Sequence, residues 1–148
     1  MHVRSYQSED QDTVIALWDA CGLLRPWNDP LVDILRKQST GADLFLVGTI
    51  DDAIVAAVMG GYDGHRGWMN YLAVAPDRQG TGLGRRIVQS LEARLKAIGC
   101  PKLNLQVRTD NEKVINYYKQ CGYVVDDVIS FGKRLIPDGQ TVSPNNES

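Results

Sequence analysis

The stretch from Val74 to Val88, VAPDRQGTGLGRRIV, limits the possible folds more than any other part of the chain. An apolar run stops at Pro76, glycines alternate at Gly80, Gly82 and Gly84, and an amphipathic helical pattern starts at once. Glycine lets a backbone approach a ligand with no Cβ between them. The unpaired amides that open a helix point outward, and the helix dipole favours an anion there. A strand, a glycine turn and a helix in that order predict an α/β chain with a place for a diphosphate. The same glycines also suit a tight strand-to-helix connection that binds nothing.

The rest of the chain divides into short elements. His2–Tyr6 reads as a first strand. Ser8 with Gln11 makes a capping box, Val14, Leu17, Trp18 and Cys21 recur at helical spacing, and Gly22 stops that helix. In the loop LLRPWNDP, Asn28 or Asp29 can cap a second helix, with Pro30 in its first turn and Leu31, Ile34 and Leu35 on its apolar side. Leu44–Ile50, Asp51-Asp52 and Ile54–Tyr62 read as a hairpin. YDGHRG is a second turn, leading into a strand over Trp68–Val74.

Leu83, Ile87, Val88, Leu91, Leu95 and Ile98 share one helical face, closed by Gly99 and Pro101. Leu103, Leu105 and Val107 alternate as a strand. Thr109 or Asp110 caps a further helix through Gln120, which Gly122 closes. Val124–Leu135 supplies one long or two short final strands. Residues 1–136 are read as one domain and the polar stretch 137–148 as a disordered tail. The order β-α-α-β-β-β-α-β-α-β, with or without one more strand, predicts a single mixed sheet.

Composition narrows the function. A chain of 148 residues can bury roughly two-thirds of its unfolded surface as one domain. It has no apolar run long enough to span a membrane. The opening MHVRSYQSEDQD lacks the apolar core of a signal peptide, so a cytoplasmic, membrane-free protein is expected. A net charge of −2, with both signs interspersed, argues against a general nucleic-acid binder. Cys21, Cys100 and Cys121 have no metal-type spacing and read as reduced packing residues. His2 and His65 lack neighbours at ligand spacing, and no metal site is predicted.

Two familiar phosphate-binding patterns fail on the glycine turn. A Walker loop needs Lys-Ser/Thr after its last glycine, where Arg85-Arg86 stand; a dinucleotide fingerprint needs glycine where Arg85 or Ile87 stands. What remains, Gln79-x-x-Gly82-x-Gly84, resembles the Q/R-x-x-G-x-G/A motif of the GNAT acetyltransferases. Two further segments share the resemblance. Tyr71-Leu72-Ala73-Val74-Ala75-Pro76 is similar to the family's fourth strand. Asn111 through Tyr123 is similar to its N-x-x-A-x-x-(F/Y)-Y-x-x-x-G-(F/Y) segment, with Val114 in place of the usual alanine. The strings LLRPWNDP and MGGYDGHRG resemble one bacterial subgroup, the YpeA-type acetyltransferases.

The resemblance implies an α/β (α+β) fold: a mixed, mostly antiparallel sheet of six or seven strands flanked by four helices. It implies acetyl-coenzyme A as cosubstrate, with the pyrophosphate on the amides of Gln79, Gly80, Thr81, Gly82, Leu83, Gly84 and Arg85. The backbone of Leu72, Ala73 and Val74, freed by a bulge, would pair with the pantetheine arm. Asn111 would touch the cofactor, and the Tyr118 hydroxyl would face the thioester sulfur as the acid that protonates the leaving thiolate. Tyr117, about 100° away on the helix, reads as core packing. The implied reaction is direct attack of an amine on the thioester within a ternary complex.

The general base stays unassigned. Met69, Asn70 and Gln106 stand where some relatives carry a carboxylate, while Asp63 and His65 read more readily as turn residues. Of Arg78, Arg85 and Arg86, position favours Arg85 for a phosphate. LLRPWNDP with Arg25 and Trp27, the second helix and YDGHRG are expected to line the acceptor pocket. A non-catalytic acyl-coenzyme A sensor with the same fold is the main alternative. A tRNA-acetylating toxin is disfavoured by the charge. The resemblance also allows a homodimer.

Overall fold

The computed structural model describes residues 1–137. Five strands form one sheet in the order β1 (His2–Ser5), β2 (Phe45–Ile50), β3 (Ala53–Tyr62), β4 (Gly67–Val74), β5 (Leu103–Asn104). The first four pair antiparallel and β5 joins β4 in parallel. Helices α1 (Gln11–Ala20) and α2 (Pro30–Thr40) precede β2, α3 (Leu83–Ala97) follows β4, and α4 (Glu112–Gln120) follows β5.

The sheet separates two cores. On one face Val14, Leu17 and Trp18 of α1 and Ile34 of α2 pack on Phe45, Val47, Ala57 and Ala73. On the other, Ile87, Val88, Leu91 and Leu95 of α3 pack on Leu46, Ala56, Val58 and Met69. Strand residues 45–49 and 55–58 are therefore buried from both sides, which explains why they lack an apolar–polar alternation. Ile98, expected on the buried face of α3, is exposed because it lies one residue beyond the helix.

Local signals set several boundaries. Asp51 and Asp52 both have positive φ (51° and 63°), the type I′ geometry that suits a two-residue hairpin. Asp29 caps α2 by accepting from the amides of Leu31 and Val32 at 3.0 and 3.4 Å. The capping box falls one residue earlier than Ser8 and Gln11. Gln7 and Asp10 form it around a short 3₁₀ turn, and the Asp10 carboxylate also holds Arg4 at 2.7 and 2.9 Å. Asn111, rather than Thr109 or Asp110, caps α4 by accepting from the Val114 amide at 3.3 Å.

The sheet is smaller than expected. The strand predicted over Leu103–Val107 keeps only two ladder residues, and among the described residues no strand forms over 124–135. That segment runs beside β5 in the same direction, tied by Lys102–Asp126 (2.7 Å) and Gln106–Ser130 (2.6 Å), without a backbone ladder. Its apolar side chains, Val124, Val125, Val128, Ile129, Phe131 and Leu135, stay exposed. Among the described residues, no backbone ladder pairs this segment as a sixth strand. The predicted tail lies outside the described residues, apart from Pro137.

Candidate active site

Strand β4 carries the decisive irregularity. In its pairing with β3, Ala57 faces Ala73 and Met59 faces Asn70, so Tyr71 and Leu72 together oppose Val58. This is a β-bulge. Tyr71 accommodates it with a φ of 52°, a left-handed conformation that tyrosine rarely adopts. Two contacts hold the strain in place. The Tyr71 ring stacks on the buried Trp18 at 4.0 Å, and its hydroxyl donates to the Asp33 carboxylate on α2 at 2.5 Å. Burial, and then the Asp33 carboxylate, push the Tyr71 phenol above its ordinary pKa.

On its other edge β4 leaves β5 before the bulge is reached. β5 pairs with β4 only at Gly67 and Trp68, so Met69–Val74 has no ladder partner on that side. The Val74 carbonyl is engaged instead by the Cys21 thiol (3.1 Å) and the Gln79 side-chain amide (3.0 Å). Gln79 thus staples the glycine turn back onto the end of β4, a use of this side chain that the sequence pattern does not reveal.

The turn then presents donors. Gly80 and Gly82 have φ of 78° and 86°, conformations open to glycine, and nothing lies within 4 Å of where their Cβ atoms would stand. Gly82 caps α3 with no side-chain hydrogen bond to the first turn. The amides of Leu83, Gly84 and Arg85 are therefore free of intrahelical partners. The Leu83 side chain is buried, and the Thr81 hydroxyl donates to the Arg78 carbonyl. Open space above Cβ-less backbone, free amides and a helix dipole suit a diphosphate. Arg85 is exposed beside this cradle, whereas Arg86 turns away to the Met1 carbonyl at 3.4 Å.

Helix α4 closes the other side of the splay. Asn111 spends its side-chain oxygen on the helix cap, which leaves its amide nitrogen as the group able to reach a ligand. Tyr117 does not pack into the core as the helical wheel implies. A Cβ on Gly84 would stand 2.9 Å from the Tyr117 hydroxyl and 3.3 Å from Val74, so this phenol reaches the junction of β4, the glycine turn and α3. Burial, reinforced by Cys121 and opposed by Arg85, pushes it up to about 12. Tyr118 lies edge-on between Tyr117 (5.3 Å) and Tyr123 (5.7 Å), half-buried against the α3 core. Burial raises its pKa further, so the phenol keeps its proton at neutral pH.

Other candidates are bound up in local structure. Asp63 accepts from the His65 and Arg66 amides, both at 2.7 Å, which makes it a turn residue. Gln106 donates to Ser130, and Met69 is buried. Arg25 folds back onto the Gly22 carbonyl at 2.7 Å. Trp27 is 44 % exposed and lines a cavity of about 640 Å³ with α2 and residues 132–137. A second cavity, of about 500 Å³, lies between α2 and the bulge. The YDGHRG turn lines neither, contrary to expectation. Among the described residues no group of His, Cys, Asp and Glu could hold a metal, and no helix is long and apolar enough to cross a membrane.

A bulged strand that parts from its neighbour beside a glycine cradle defines a class, the acyl-coenzyme A-dependent transferases. The comparisons give the particular family. Residues 10–123 match the model of the acetyltransferase (GNAT) family. An acetyltransferase of Yersinia enterocolitica is 51% identical over 138 residues, 93% of this chain and 98% of its own length. Among solved structures, Ard1 from Thermoplasma volcanium superposes with a TM-score of 0.71 at 21% identity, covering 84% of this chain and 83% of that one. An aminoglycoside 6'-N-acetyltransferase from Acinetobacter haemolyticus superposes with a TM-score of 0.67 at 14% identity, covering 91% and 99%. The chain belongs to the GNAT family and is an acetyl-coenzyme A-dependent N-acetyltransferase.

Proposed function

We propose that the protein moves the acetyl group of acetyl-coenzyme A to a primary amine by direct attack within a ternary complex. One observation carries this reading: the bulge at Tyr71–Leu72 opens β4 beside free amides at the start of α3. The thioester supplies an activated acyl carbon. The amides of Gln79–Arg85 hold the diphosphate, the free edge of Leu72, Ala73 and Val74 pairs with the pantetheine arm, and the Asn111 amide nitrogen adds a contact. As the amine nitrogen bonds to the carbonyl carbon, the C–S bond breaks, nitrogen releases a proton and the thiolate gains one. Tyr118 delivers that proton, a role supported by burial that keeps its phenol protonated.

The test couples two measurements. Calorimetry should show binding of acetyl-coenzyme A and of free coenzyme A. Amines presented with acetyl-coenzyme A should release free thiol together with an N-acetylated product seen by mass. Association without thiol release from any amine would leave a cofactor-binding domain in place of an enzyme. No association at all would overturn the assignment of the cradle.

A further inference from the structure

The cavity of about 500 Å³ beside the bulge is walled by Asp33, Arg36 and Lys37 of α2, Met59 of β3, and Asn70 and Tyr71 of β4. Its charges are unequally matched. Asp33 accepts from the Tyr71 hydroxyl and lies 3.5 Å from Arg36. Lys37, one turn further along, has no acidic or carbonyl partner among the described residues. A lysine usually carries its ammonium group out to water. This one lies across β3, where a Cβ on Gly61 would stand 2.8 Å from the Lys37 nitrogen. Gly61 thus makes room for a half-buried cation at the cavity wall, and burial alone lowers the Lys37 pKa.

An unmatched cation and a carboxylate, one helical turn apart on the same cavity wall, describe a ligand with the opposite charges at a short spacing. We propose that this cavity is the acceptor pocket and that it takes an aminocarboxylate, with the carboxylate on Lys37 and the amine towards Asp33 and the bulge at Tyr71. The proposal rests on the acetyl-transfer reading and names its acceptor class. Asn70, on the bulged strand, adds a neutral amide to the lining. The Asp33–Tyr71 contact makes Asp33 both the cationic subsite and the anchor of the bulge.

The experiment pairs glycine, β-alanine and 4-aminobutyrate each with its carboxamide, and O-phosphoethanolamine with ethanolamine. Binding to protein saturated with coenzyme A is read by calorimetry, so a lack of turnover, which counts against acetyl transfer, is told apart from a lack of acceptor binding. At least one carboxylate should be preferred over its amide by about tenfold or more, the worth of a charge-assisted contact. Lys37→Met should erase that preference. Gly61→Ala, which keeps the charge and displaces only the flexible end of Lys37, should reduce it. A preference that survives Lys37→Met, no preference for any carboxylate, or one confined to the phosphate pair would overturn the proposal.

Discussion

The Tyr117 hydroxyl stands over Gly84, so close that a Cβ at that position would lie 2.9 Å from the oxygen and 3.3 Å from the Val74 side chain. Three elements meet there: the end of β4, the first turn of α3 and the middle of α4. Gly84 is helical, so its lack of a side chain serves packing rather than an unusual φ. The glycine that sequence reading assigns to a ligand also lets α4 approach the turn.

Gly84→Ala should therefore destabilise the protein by about 1–3 kcal/mol, although alanine favours helix. In a Tyr117→Phe background, with the crowding oxygen gone, the same change should cost less by about 0.5–1 kcal/mol. Urea unfolding of the four proteins in the cycle measures the coupling. Strictly additive effects would mean that the Tyr117 hydroxyl does not crowd the turn.

Tyr117 and Tyr118 are neighbours whose hydroxyls should separate functionally. Tyr118→Phe is expected to lower kcat by about 100-fold or more, as for loss of a general acid, with coenzyme A affinity nearly unchanged. Tyr117→Phe removes a hydroxyl that reaches Gly84 at the start of α3, so its effect should fall on cofactor affinity first. Single-turnover rates and calorimetry on both variants divide the two roles. Equal kcat for Tyr118→Phe and the parent protein would remove Tyr118 from the chemistry.

Acid stability should depend on the ion pair at the start of α1. Hydrogen bonds from Arg4 hold the Asp10 carboxyl below its ordinary 3.8, assisted by the Gln7 amide and partly opposed by burial. The folded value lies below the unfolded one. Its stabilisation is therefore complete above the unfolded value and is lost as pH falls through the folded one. Asp10→Asn should cost about 1–2 kcal/mol at neutral pH, and the gap should close below pH ~3.8. Thermal melts of both proteins across acid pH would show two curves converging; parallel curves would contradict the assignment.

The β2–β3 hairpin offers a gain. Asp51 and Asp52 hold positive φ with adjacent like charges, whereas Asn-Gly suits the same turn without the steric cost. The double change Asp51→Asn with Asp52→Gly should stabilise the protein by about 0.5–1 kcal/mol, read as a higher urea midpoint at unchanged slope. Neither aspartate belongs to the glycine turn or the bulge, so coenzyme A binding should match the parent's.

Much of this molecule was legible in its sequence because much of it is local. Helical spacing placed Leu83–Leu95 on one buried face, paired aspartates marked a tight turn, and alternating glycines marked the turn that opens α3. Each of these signals lies within a few residues of its effect. What tertiary structure decided depends on residues far apart in the chain. The bulge at Tyr71 is held by Trp18 and Asp33, and Val74 is engaged by Cys21. The reach of Tyr117 is set by Gly84, and the setting of Lys37 by Gly61. The strand expected over 124–135 failed for the same reason: alternation supplies a strand's pattern, but only a neighbouring edge and a covering layer supply its partners.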